Sequence, residues 1–312
     1  MGKMEIVNCP QHPSDIEYTQ LATRFDPDYG ISWVLMNPEE VPCFNLKILN
    51  ELRQYNQSIE DCKGKIWAGG ALHSIRYLVF ASEIPGVFNL GGQLELFSQL
   101  IRNADRQALE HYAKMCIDAM AARIRHYDLP VVTISLVQGD ALGGGFEAAL
   151  TSDIIIAERG SHMGFPEILF NLFPGMGAYS FLARKIGTIQ AEKIILSGKL
   201  YSAEELHELG LVDVLVEKGE GEHAVYDYVE KQTRRSNGYI ALQKARHRFN
   251  PVTYQELMDI TGIWVDAALQ LNARDIKVMD RFVRSQQKLF KENKSTQYSV
   301  ATKHEPDMAC SL

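Results

Sequence analysis

The sequence predicts an α/β fold, a sheet with crossover helices, followed by a helical C-terminal region. Three observations carry this. The short, wholly apolar run at residues 77–81 (YLVFA) and the mostly apolar run at 131–137 (VVTISLV) fit buried strands. Stretches with apolar residues at helical spacing alternate with them, as crossover helices do. Glycine clusters, Gly91-Gly92 and Gly143-Gly144-Gly145, follow both strands and supply tight turns.

The elements follow in order. Residues 1–28 are mixed polar, with Pro10, Pro13 and Pro27, and read as a loosely structured lead-in. Residues 30–36 (GISWVLM) read as the first strand, and Pro38 and Pro42 break the chain after it. Phe44, Ile48, Leu49 and Leu52 form a helical stripe over residues 44–55, and a polar insertion runs on to Lys65. Residues 94–126 carry a long apolar stripe, predicted as two helices broken near 103–105. After the strand at 131–137 come the triple-glycine turn, a helix over 146–151 and a strand over 154–157. Beyond Pro174, helices at 177–186, 190–197 and 203–209 precede a last strand at 212–216. Helical spacing fills residues 222–290, and the polar, aperiodic stretch 291–312 is expected to be disordered at its end. The chain therefore divides into a lead-in (1–28), a core (29–221), a C-terminal helical region (222–290) and a tail (291–312).

Composition narrows the function. With 312 residues, 46% of them hydrophobic, the chain can bury a large core, which excludes a disordered protein. Thirty-two basic against 39 acidic residues give a net charge of −7, which argues against a nucleic-acid binder and points to small molecules or proteins as partners. Cys9, Cys43, Cys62, Cys116 and Cys310 form no C-x-x-C pair, so a reduced, cytoplasmic protein without a zinc or redox centre is expected. No leader pattern opens the sequence, and no apolar run approaches the roughly 20 residues of a membrane span. Phosphate-loop, nucleophile-elbow and H-E-x-x-H motifs are absent, the nine histidines are dispersed, and neither metal nor cofactor is expected.

The chemistry concentrates at the two glycine turns. A glycine turn opening a helix leaves N–H groups unpaired, suited to an anion or a developing oxyanion. A single such turn is accounted for by its structural role, and a lone glutamate by a solvated surface. Here, however, Glu147 closes the second turn and Glu167 lies twenty positions on, beyond an intervening strand, each flanked by apolar residues. Two carboxyls brought together in this way can divide acid and base roles. The sequence Gly143-x-Gly145-x-x-Ala148 also fits a dinucleotide-binding fingerprint, but Glu147 would set a negative charge against the pyrophosphate.

In the order Val137-Gln-Gly-Asp-Ala-Leu-Gly-Gly-Gly-Phe-Glu147, Ser152-Asp-Ile-Ile-Ile-Ala157, Phe165-Pro-Glu-Ile168, Pro174-Gly-Met-Gly177 and Gly210-Leu-Val-Asp213, the sequence resembles the crotonase (enoyl-CoA hydratase/isomerase) superfamily over about residues 29–218. Within it the chain is more similar to the diffusible signal factor synthases, through Val87-Phe-Asn-Leu-Gly-Gly92, Leu172-Phe-Pro-Gly-Met-Gly-Ala-Tyr-Ser-Phe181 and Ile263-Trp-Val-Asp266, a likeness reaching about Arg284. Phe88-Asn-Leu-Gly-Gly-Gln93 departs from the A-G-A-D sequence usual in hydratases.

The resemblance implies a crotonase-like spiral of ββα turns whose helical C-terminal region makes trimer contacts. It implies Glu147 and Glu167 as catalytic residues and the N–H groups of Leu90 and Gly144 as the oxyanion hole, with Gly91 beside the substrate. The implied reaction dehydrates a 3-hydroxyacyl thioester, on acyl carrier protein or CoA, to a cis-2-enoyl thioester and hydrolyses that to the free acid, with Glu167 as base and Glu147 as acid. Phe165, Leu169, Phe170, Leu172, Met176 and Trp264 are candidates for the acyl pocket. Arg234, Arg235, Lys244, Arg246 and Arg248, and the helical row Lys277, Arg281, Arg284 and Lys288, are candidates for docking the acidic carrier. A sensor protein is a further partner that the likeness admits. The alternatives are an ordinary enoyl-CoA hydratase or isomerase, and a non-catalytic binding protein of the same fold.

Overall fold

The computed structural model describes residues 16–301, with side chains described as far as residue 288. In chain order the elements are β1 (Leu21–Asp26), β2 (Ile31–Met36), α1 (Leu46–Asp61), β3 (Lys65–Ala68), β4 (Ala71–Ser74), β5 (Tyr77–Ser82), β6 (Gly86–Asn89), α2 (Leu94–Arg102) and α3 (Arg106–Ile124). They continue with β7 (Val132–Val137), β8 (Gly139–Leu142), α4 (Gly144–Leu150), β9 (Ile154–Glu158), β10 (His162–Gly164) and a 3-10 turn (Pro166–Phe170). The chain then runs through α5 (Ala178–Ile186), α6 (Thr188–Ser197), β11 (Leu200–Ser202), α7 (Ala203–Glu208) and β12 (Val214–Val216). Four helices follow: α8 (Gly221–Thr233), α9 (Ser236–Phe249), α10 (Tyr254–Ala268) and α11 (Ala273–Ala301).

The strands form two main sheets, ordered β1-β2-β5-β7-β9-β12 and β11-β10-β8-β6. Parallel pairing dominates both, and β1 and β11 are the antiparallel edges. Three times in succession the chain passes from the larger sheet to the smaller one (β5 to β6, β7 to β8, β9 to β10) and returns through helical structure. This is the predicted spiral of ββα turns.

Strand alternation sorts the core. Ile31, Trp33, Val79, Ile134 and Ile156 face one side of the larger sheet, where Val225 and Val229 of α8 cover them. Val34, Met36, Leu78 and Phe80 face the other side, against α1 and α3. Because both faces are covered, β2 and β7 are buried at every position and largely apolar, their polar residues being Ser32, Thr133 and Ser135.

The departures from expectation have local causes. The lead-in contains β1, whose pattern of one buried end and otherwise half-exposed residues gives an edge strand little apolar signature. Helix α1 runs on through most of the expected polar insertion, to Asp61, and a β3-β4 hairpin that the sequence did not predict begins where the insertion ends, with Trp67 opposite Leu72. The strands β6, β8, β10 and β11 are three or four residues long, too short for a period to show. Helix α11 extends to Ala301, into the stretch expected as tail. The remaining tail residues, 302–312, and lead-in residues 1–15, including Cys9 and Cys310, lie outside the described residues. Cys43, Cys62 and Cys116 are free, and no helix among the described residues is long and apolar enough to cross a membrane.

Candidate active site

The two glycine turns touch. A Cβ built on Gly91, whose φ is +93°, would lie 2.7 Å from the Leu142 carbonyl oxygen and 3.2 Å from the Gly144 nitrogen. A Cβ on Gly145 would lie 2.1 Å from the Asn89 carbonyl oxygen, so backbone meets backbone where β6 and β8 end. Gly143, at φ +52°, has no room either, because its Cβ would fall 2.4 Å from Glu167 Oε1. Gly144 differs: its Cβ would meet Gly91 and Gly92 at an ordinary 3.5–3.6 Å.

The N–H groups around these turns divide into used and unused. Leu90 donates to Pro42 O at 2.8 Å, and Gly91 donates to Asn89 Oδ1 at 2.8 Å. Gly143 donates to Gly164 O at 2.8 Å. Among the described residues no acceptor takes the N–H of Gly92 or of Gly144, and both residues line one cavity. The expected Leu90 donor is thus engaged, and Gly92 stands in its place beside Gly144. Gly91 is a spacer whose positive φ delivers Gly92, and it does not line the cavity.

Both glutamates reach the same cavity. Glu147 sits in the first turn of α4, 2% exposed, and its Oε1 accepts from the N–H groups of Met176 (2.7 Å) and Ala178 (3.0 Å), the latter opening α5. Burial pushes its pKa up to about 7, against those two donors, which favour the anion. Glu167 belongs to the 3-10 turn; the residue is half-buried, but its Oε2 is shut off from solvent with no partner among the described residues. Its pKa is pushed up to about 8, by burial first and by the nearby Glu147 charge second. Near neutrality the pair shares a proton, and the two N–H donors hold the charge on Glu147 and the proton on Glu167.

The cavity has a volume of about 80 Å³. Phe170, Leu172, Met176 and Trp264 line it as expected. Phe165 and Leu169 do not: Phe165 is fully buried and stacked on Phe146, and Leu169 is 53% exposed. A 3-10 turn rotates about 120° per residue, so it cannot send neighbouring side chains to one side. Leu49 and Leu52 of α1 and Cys116 and Met120 of α3 line the cavity instead, with Asn56, Arg123 and Tyr127 as polar groups. Sequence reasoning placed Leu49, Leu52 and Cys116 on apolar helical stripes read as core, since a stripe facing a cavity and a stripe facing a core have the same period.

A profile of the family described as enoyl-CoA hydratase/isomerase matches residues 31–299. Among curated proteins, human enoyl-CoA hydratase domain-containing protein 2, mitochondrial, is 30% identical over 214 residues, covering 68% of this chain and 66% of that protein. Mouse methylglutaconyl-CoA hydratase, mitochondrial, is 28% identical over 214 residues, covering 66% and 63%. The chain thus spans just under two thirds of the length of these relatives. Among solved structures, an enoyl-CoA hydratase from Bacillus halodurans superposes with a TM-score of 0.68 at 22% identity, covering 84% of this chain and 98% of that one. DspI of Pseudomonas aeruginosa superposes at 0.59 with 26% identity, covering 75% and 84%.

Two outcomes follow from the site. Gly145→Ala sets backbone against backbone and should cost on the order of 1–3 kcal/mol or more in chemical denaturation. Gly144→Ala should fold with near wild-type stability, and equal destabilisation by both would refute the described contact. Second, a carboxyl whose pKa is raised on folding contributes stability below its unfolded value of 4.5 and loses it as pH rises through about 8. The melting temperature of Glu167→Gln relative to wild type should therefore increase steadily from acid to mildly alkaline pH, and a difference independent of pH would mean that Glu167 is not buried as described.

Proposed function

Because the chain belongs to the enoyl-CoA hydratase/isomerase family, we propose that it is a signal synthase: it dehydrates a 3-hydroxyacyl thioester to the cis-2-enoyl thioester and hydrolyses that thioester to the free fatty acid, working in the cytoplasm. The observation that carries the reading is the convergence of two unused N–H groups, Gly92 and Gly144, and two buried carboxyls, Glu147 and Glu167, on one largely apolar cavity. The similarity to DspI and the Phe88–Gln93 segment support the synthase over other members.

The two N–H groups receive the thioester oxygen, which gains negative charge when C2 loses its proton; donors of this kind are worth about 3 kcal/mol each in a transition state. The Glu167 carboxyl lies against Gly143, next to the Gly144 donor, so it works at C2, one bond from the carbonyl carbon. Glu147, three residues beyond Gly144 in the first turn of α4, works at the 3-hydroxyl. Dehydration starts with the shared proton on Glu147: Glu167 takes the C2 proton, Glu147 protonates the departing hydroxyl, and water leaves. In the second reaction a carboxylate draws a proton from water, the water oxygen bonds to the carbonyl carbon, and the same N–H groups hold the tetrahedral oxyanion until the thiol departs protonated.

The resting distribution, with the proton on Glu167 and the charge on Glu147, suits the opposite direction, addition of water to a 2-enoyl thioester. That observation, with relatives named as hydratases, favours an enoyl-CoA hydratase as the second reading.

The proposed carrier is acyl carrier protein. Helix α11 lies beside the site, since the Gln286 side chain donates to Leu90 O at 2.7 Å, and Lys277, Arg281, Arg284 and Lys288 on it are exposed. Arg234, Arg235, Lys244, Arg246 and Arg248 are exposed as well, on and before α9. A homotrimer is also proposed, supported by apolar side chains left outside, such as Ile189 at 74% and Phe249 at 88% exposure.

Incubating the protein with a 3-hydroxyacyl carrier protein and reading products by mass spectrometry and chromatography tests this. The free cis-2-unsaturated acid is expected; a trans-2-enoyl thioester with no released acid would leave the hydratase reading. Glu147→Gln and Glu167→Gln should each lower turnover at least about a hundredfold. Reversing Arg281 and Arg284 to glutamate should raise KM for the carrier substrate, less so at high salt, and spare a short thioester that lacks the protein. Equal effects on both substrates would remove α11 as the docking face.

A further inference from the structure

Away from the glycine turns, three side chains that the sequence scatters come together. Nε2 of His126 and Nε2 of His247 lie 3.1 and 2.9 Å from the same oxygen, Oδ1 of Asp153, and all three atoms are within 4.8 Å of one another. We propose that His126, Asp153 and His247 form a binding site for a divalent transition metal of the zinc class. The proposal goes beyond the reading of the glycine turns and does not depend on it.

Geometry is the first support. Metal–nitrogen and metal–oxygen bonds near 2.0–2.2 Å in a tetrahedron set neighbouring ligand atoms roughly 3.3 Å apart. The two measured separations need only a few tenths of an ångström of expansion. The imidazole rings stack with centroids 3.4 Å apart and planes 18° from parallel, so a shared metal requires the His247 ring, 30% exposed, to turn until both in-plane Nε2 lone pairs meet. Two imidazoles and one carboxylate suit zinc better than magnesium or calcium, which prefer oxygen.

The carboxylate is also oriented from outside the cluster. Its second oxygen, Oδ2, accepts from the Thr133 N–H (2.9 Å) and from Thr133 Oγ1 (3.1 Å), which leaves Oδ1 aimed at the imidazoles. Metal sites use such outer partners to fix their ligands. The backbone that delivers His126 is unusual too: His126, Tyr127 and Asp128 all have φ between +52° and +55°, a left-handed run of three side-chain-bearing residues that the surrounding structure must enforce.

Access exists on one side. Asp153 is almost wholly covered, with 3% of its side chain exposed, while the His247 side chain, 30% exposed, lines an open cleft of about 610 Å³. The cleft gives a metal its entry and its fourth position. Lys185 and Arg246 line the same cleft, so an anion or hydroxide is the natural fourth ligand.

The test is titration of the chelator-stripped full chain with Zn²⁺ by calorimetry, with Co²⁺ as a spectroscopic probe. One Zn²⁺ per chain, a chelator-reversible rise in melting temperature and a tetrahedral Co²⁺ spectrum are expected. His247→Gln, at a half-exposed position, should fold normally and weaken binding at least about tenfold, since loss of an outer partner alone does that much. The isosteric Asp153→Asn should do the same. His162→Gln and His223→Gln, which alter the other exposed histidine–carboxylate pairs (3.2 and 3.6 Å), should change nothing. Absence of binding to wild type, or undiminished binding by folded His247→Gln, would overturn the proposal.

Discussion

The arrangement of the site depends on one steric constraint: the ends of β6 and β8 run so close that only glycine fits between them. Gly91 against Leu142, Gly145 against Asn89 and Gly143 against Glu167 leave no space for a side chain. That approach brings two helix-opening turns side by side with an unused N–H on each. Anything larger would separate the donors and push Glu167 out of its place. The parallel spiral supplies the rest, because successive passes from the larger sheet to the smaller one put these turns on neighbouring strands.

The electrostatics follow from the same closeness. Two carboxyls in one apolar cavity cannot both ionise at low cost, so the Glu147 charge raises the Glu167 pKa above what burial alone sets. The Met176 and Ala178 N–H groups break the symmetry by stabilising charge on Glu147. Among the described residues Glu167 Oε2 is buried without a partner, a cost that the fold tolerates at this position.

Much of this was legible in the sequence, and what was not has identifiable causes. Long apolar strands, the break between α2 and α3 at Asn103–Asp105 and both glutamates could be read directly, because their signals are local. The donor N–H could not: Leu90 is disqualified by Pro42, a residue 48 positions earlier that the fold brings against it. Phe165 and Leu169 were misplaced because a 3-10 turn does not follow the helical period, and the cavity walls on α1 and α3 looked like core. The sequence argued against any metal site, yet His126, Asp153 and His247 meet across gaps of 27 and 94 residues, a juxtaposition that no spacing rule contains.

The central claim is that the N–H groups of Gly92 and Gly144 grip one carbonyl oxygen between the two carboxyls. The infrared carbonyl stretch of a ¹³C-labelled, unreactive 3-hydroxyacyl thioester analogue bound to the protein tests it most directly. Two convergent donors polarise the bond, so the stretch should fall to a lower frequency than that of the analogue in water. A bound carbonyl with the frequency it has in water would contradict the account.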